Sequence, residues 1–99
     1  MAFFDPRTTV LFQVTFGKAL VDRVYLDTEA ETLLEVGTGA AVSVEHGRGW
    51  RDTVVWNPYT TLPAAWSHFV CVESAVTRPV MLPAGYVWEA ETKICVIDL

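Results

Sequence analysis

Short β-prone runs, cut by turn residues at close intervals, leave this chain little to fold into except antiparallel sheet. Residues 8–16 are rich in Thr, Val and Phe until Gly17-Lys18 breaks the run, and residues 20–27 alternate with period two. That alternation sends Leu20, Asp22, Val24 and Leu26 to one face, and Val21, Arg23 and Tyr25 to the other. Further strands are predicted over 32–36, 40–46, 51–56, 68–75, 79–82 and 86–97. Between them lie a polar turn at 27–31, Gly37-Thr38-Gly39, Gly47-Arg48-Gly49, Asn57-Pro58 and Pro83-Ala84-Gly85. Residues 59–67 read as a loop or one short helical turn. No internal repeat or linker interrupts the pattern. Residues 1–99 are therefore expected to form a single all-β domain, an antiparallel β-sandwich.

At 99 residues one core is the limit, and 52% hydrophobic against 19% charged residues is too apolar for disorder. Twelve acidic and seven basic residues give a net charge of −5 with no basic stripe, which argues against a nucleic-acid or anionic-membrane surface. The apolar runs are too short and too often broken by charges for a membrane span. The start, Met1-Ala2-Phe3-Phe4-Asp5-Pro6-Arg7, lacks the basic flank and continuous apolar stretch of a signal peptide. A cytoplasmic protein is expected, with Cys71 and Cys95 as reduced, buried thiols. Two cysteines and two histidines at irregular spacing match no common zinc pattern. Gly37-Thr38-Gly39 is a turn and not a phosphate loop, because no helix follows it. No metal or other cofactor is expected.

Glu73 is a lone carboxylate in the apolar run Phe69-Val70-Cys71-Val72-Glu73. Stripped of hydration by flanking hydrocarbon, a carboxylate becomes suited to take a proton near neutral pH, as a general base does. The order Val55-Trp56-Asn57-Pro58, a loop, Cys71-Val72-Glu73, then Leu82-Pro83-Ala84-Gly85 and Trp88 resembles the C-terminal part of the aldose 1-epimerase-like family, specifically the hexose-6-phosphate mutarotases. Upstream, Val21-Asp22-Arg23-Val24-Tyr25 resembles the family strand whose aspartate lines the sugar pocket. The similarity spans residues 21–96. It implies the C-terminal portion of a galactose-mutarotase-like supersandwich and Glu73 as the base that abstracts the anomeric hydroxyl proton. It also implies Asp22 and Asn57 as substrate-binding residues. The family's acid histidine and phosphate-binding arginines have no counterpart here. The resemblance thus implies a binder of hexose or hexose phosphate, and leaves mutarotase (isomerase) turnover through Glu73 open.

From the residues alone each candidate keeps a plainer alternative. Glu73 at a strand end reaches water, and Asp22 beside a turn is solvated. His68 falls on the face opposite Glu73, and His46 ends a strand next to Gly47, so both are poor substitutes for the missing acid. Of the four tryptophans, Trp56 and Trp88 sit inside predicted strands and suit a core, whereas Trp66, in a loop, is the candidate to stack on a sugar ring. Arg48, Arg51 and Arg78 either meet a sugar phosphate or form solvated surface. Two functions stand: a reduced mutarotase-like carbohydrate-binding domain, or a non-catalytic β-domain for homo-oligomeric assembly or protein partner binding. The consecutive apolar runs Val54-Val55-Trp56 and 69–72 suit strands covered on both sides and point to a two-fold homodimer.

Overall fold

A computed structural model describes residues 2–5, 8–28, 31–35 and 37–98. Glu29 and Ala30 of the expected polar turn, and Val36 at the end of the expected strand 32–36, lie outside the described residues. The described residues form eight strands: β1 (Ala2–Asp5), β2 (Thr8–Gln13), β3 (Val21–Tyr25), β4 (Glu31–Glu35), β5 (Ala40–His46), β6 (Asp52–Asn57), β7 (Cys71–Ala75) and β8 (Thr92–Asp98). They form two antiparallel sheets, one in the order β2-β1-β4-β5-β8 and the other in the order β3-β6-β7. The only helical piece among the described residues is the 3-10 turn Trp66–His68. The chain is all-β, as its alternation predicts.

The β3-β6-β7 sheet contributes to a core cluster among the described residues. Val21 and Val55 point inward, join Val14, and are flanked by Phe16, Tyr25 and Val70. The larger sheet meets this face through polar ties: His46 Nε2 contacts the Thr28 carbonyl, and the Thr92 hydroxyl donates to Ser74 Oγ at 3.3 Å. Thr28 in turn shares a 2.7 Å hydroxyl–hydroxyl bond with Thr53 on β6. Val14, Val21, Ala41 and Val55 are buried hydrophobic residues. The radius of gyration is 15.0 Å, against about 13 Å for a compact domain of this length, so the two sheets form an open sandwich.

Two sequence expectations are corrected here. Residues 79–82 and 86–91 are not strands, and the expected terminal hairpin does not form. Pro79 and Pro83 remove ladder donors, and the Tyr86 N–H closes a tight turn onto the Pro83 carbonyl at 3.1 Å. Trp88 packs edge-on against Trp50, with centroids 5.2 Å apart, instead of entering a ladder. The seven residues of β8 pair with β5, from Ala40↔Asp98 to His46↔Thr92. The second correction concerns the strand expected over 68–75: it begins only at Cys71, and His68 closes the 3-10 turn. Cys71 and Cys95 are free thiols, half-buried where full burial was expected.

Candidate functional site

Register determines which side chains meet on the smaller sheet. Asp22 pairs with Trp56 and Trp56 with Cys71, while Val24 pairs with Val54 and Val54 with Glu73. Cross-strand partners share a face, so Asp22, Val24, Val54, Trp56, Cys71 and Glu73 all project from the side away from Val55. Asp22 and Glu73 flank this face from its two outer strands. Two strand spacings across and two residues along place their Cα atoms about 12 Å apart, with Trp56 and Val54 between them. Trp56 is half-buried, and its ring lies 5.7 Å from that of Phe69 at a tilt of 49°.

Both carboxylates are exposed. Glu73 therefore keeps its hydration, and the desolvation suggested by its apolar neighbours in sequence does not occur. Those neighbours alternate: Val70 packs against the core from the far side, so they cannot all surround Glu73.

Asn57 and Trp66, the other two candidates, lie on the opposite side of β6. They line a cavity of about 410 Å³ together with Phe16, Leu34, Phe69 and Val70. Asn57 is fully buried, and its Nδ2 donates to the Trp66 carbonyl at 2.7 Å and the Phe69 carbonyl at 2.9 Å. It thereby pins both ends of the 66–69 segment to the end of β6. No hydrogen-bond partner reaches its Oδ1 among the described residues. Trp66 is held edge-on by Tyr59 at 4.9 Å, half-buried rather than free in a loop. The four candidates thus form two pairs on opposite faces of β6, and one ligand cannot touch both.

Neither histidine faces Glu73. His46 Nε2 is engaged by the Thr28 carbonyl across the sandwich, and His68 sits on the 3-10 turn. The arginines are largely committed as well. Arg48 bridges Glu89 and Glu91, each at 3.1 Å, and Arg78 pairs with Asp27 at 2.5 Å. Arg48 and Arg51 line a cavity of about 590 Å³, beside Trp50, Trp88 and His46. The two glutamates on Arg48 cancel much of the charge that an anion would seek there.

A heavily bonded carboxylate, Asp52, carries no signal in the local sequence. Asp52 opens β6 and is fully buried, accepting from the Asp27 N–H and the Thr77 N–H, each at 3.0 Å, and from the Thr77 hydroxyl at 2.6 Å. The Thr77 hydroxyl bond, the two backbone N–H bonds and the Arg78 charge lower its pKa to about 2, against a burial effect that works to raise it. All its donors are 25 residues away in sequence, so no local motif announces them. Among the described residues, no cluster of His, Cys, Asp and Glu could hold a metal ion, and no helix is long and apolar enough to cross a membrane. In comparisons with family models, curated proteins and solved structures, nothing matches this chain.

Proposed function

We propose that this chain is a mutarotase-like carbohydrate-binding β-domain that takes a hexose or hexose phosphate on the outer face of β3-β6-β7. The observation that supports this reading is the register that sets Trp56 between Asp22 and Glu73 on one open face. An indole offers an apolar surface to the C–H groups of a sugar ring, and carboxylate oxygens on either side accept bonds from its hydroxyls. Their separation leaves room for one ring over Trp56. Exposed carboxylates need no folding partner, so they are free to bind.

Binding rather than turnover is the function this geometry favours. Mutarotation requires a base and an acid on opposite sides of the hemiacetal. On this reading Glu73 would be the base toward a sugar on this face, and the engagement of His46 by the Thr28 carbonyl and the place of His68 on the 3-10 turn supply it no acid. The free thiols of Cys71 and Cys95 support a reducing, cytoplasmic setting for this reading.

Titration with hexoses and hexose phosphates, followed by tryptophan fluorescence, tests the proposal. One sugar class is expected to quench the signal, and Trp56→Phe should remove most of that quench. Glu73→Gln and Asp22→Asn should each abolish binding while changing unfolding stability by no more than about 0.5 kcal/mol, since both side chains are exposed. No response to any hexose or hexose phosphate would overturn the reading. A quench that survives Trp56→Phe would move the site elsewhere, the cavity beside Trp50 and Trp88 being the next place to look.

A further inference from the structure

β8 is a long edge strand with no proline and no bulge, and its charged residues Lys93 and Asp98 flank an apolar centre from Ile94 to Ile97. It is seven residues long and is in unbroken register with β5 along its whole length. No described strand pairs with its other side. The competing edges are less inviting: β3 and β7 are five residues each, with Asp22 and Arg23 exposed on one and Glu73 on the other, and the ladder between β2 and β1 is irregular near Phe3. On β8, Ile94 is 67% exposed and Val96 78% exposed, on the face turned toward the smaller sheet. A long edge with an apolar centre and unpaired backbone groups can template strand addition.

The chain as a whole exposes more surface than a compact monomer, and Ile94 and Val96 are among its most exposed apolar residues. The chain exposes 6773 Å², whereas a compact monomer of 11.0 kDa exposes about 5,600 Å². The surplus of roughly 1,200 Å² is large enough to include one partner's share of a standard interface, about 800 Å².

We propose that β8 pairs antiparallel with β8 of a second copy, joining the two five-stranded sheets into one across a two-fold axis at Cys95. A two-fold axis perpendicular to a continuous sheet pairs residues of like parity, and overlap of all seven residues is reached only with Cys95 opposite Cys95 of the second copy. That register sets Ile94 beside Val96 of the second copy and the reverse, so the most exposed apolar pair on β8 meets itself. Lys93 then faces Ile97, and Thr92 faces Asp98, so no like charges are opposed.

The backbone is oriented for this pairing. The Gly47 N–H donates to the Glu91 carbonyl at 2.9 Å, on the same register as the β5–β8 ladder. Residues 93, 95 and 97 therefore direct their backbone groups to β5, and residues 92, 94, 96 and 98 direct theirs to the open edge. In the dimer the outward set makes the new hydrogen bonds. Cys95 then falls at a non-hydrogen-bonded position, where Cα atoms lie about 4.5 Å apart, within the span a disulfide tolerates. This assembly is independent of sugar binding on β3-β6-β7.

Light scattering at micromolar concentration should give twice 11.0 kDa for the wild-type chain. Ile94→Lys and Val96→Lys should each shift the mass toward the monomer without lowering the β signal in far-UV circular dichroism, since both side chains are already exposed. Diamide, which takes two hydrogens from a pair of thiols as they join, should convert the wild type to a covalent dimer on a non-reducing gel. Cys71→Ser should preserve that band and Cys95→Ser should remove it. A wild-type mass near 11.0 kDa overturns the proposal. So does a dimer that survives both lysine substitutions, or one that does not cross-link through Cys95.

Discussion

Replacing Asp52 with alanine is expected to lower unfolding stability by about 3 kcal/mol, measured by urea denaturation. The residue is fully buried, and its carboxylate accepts from the Asp27 N–H, the Thr77 N–H and the Thr77 hydroxyl, with Arg78 at 3.7 Å. Alanine strips the acceptor from all three donors at once and separates the β3 turn from the segment that follows β7. Hydrogen bonds to a charged group contribute about 1.5–3 kcal/mol each, and partial entry of water limits the total. A small domain has about 5–15 kcal/mol in all, so the loss is a large share of it. Asp52→Asn should cost nearly as much, because its amide turns a donor toward groups that donate. The acid limb gives an independent check. The Asp52 carboxyl falls from the usual 3.8 to about 2 in the folded chain, chiefly through the Thr77 hydroxyl. A depressed value means that the folded state resists protonation. The stabilisation is therefore complete above pH 3.8 and is lost as pH falls through about 2. The wild type should lose about 2 kcal/mol more than Asp52→Ala across that window. Parallel acid limbs for the two proteins would show that Asp52 is not held as the structure places it.

Gly49→Ala is expected to be comparably damaging for a different reason. Gly49 has φ +90°, and a Cβ there would lie 2.1 Å from the Glu89 carbonyl oxygen and 2.8 Å from the Ala90 Cα. These are backbone atoms and cannot rotate away. Either the turn opens or residues 89–90 move, and Trp88 then leaves its contact with Trp50. A loss of about 3 kcal/mol corresponds to a fall in Tm of roughly 10–20 °C for a domain of this size, with a change in the near-UV tryptophan signal. Gly37→Ala is the control. It has a similar φ of +79°, but a Cβ there would meet nothing within 4 Å, so it carries only the cost of the left-handed conformation, about 1 kcal/mol. Equal effects at both glycines would rule out the backbone clash.

The sequence was a good guide to the faces of strands. Alternation in 20–27 places Asp22 and Val24 together, and the ladder to β6 agrees. It misled where a run of β-prone residues was interrupted by prolines, since Pro79 and Pro83 remove ladder donors and the Tyr86 N–H closes a turn onto the Pro83 carbonyl. It misled again at Glu73, where apolar neighbours in the chain were read as apolar surroundings in space. Successive residues of a strand point to opposite faces, so Val70 and Val72 lie across the sheet from Glu73, not around it.

What the sequence by itself determined is the class of structure: β-branched runs, their period of two, and glycine and proline turns exclude helices and impose antiparallel strands. Those are local preferences, set by side-chain sterics within a few residues. Only the tertiary structure decided the partners. It paired β8 with β5, split Asp22 and Glu73 from Asn57 and Trp66 across β6, and closed three donors from distant loops around Asp52. The physical reason is that strand pairing and buried hydrogen bonds are selected by fit between segments far apart in the chain. A strand's own residues state which face is apolar, but not which edge it will meet.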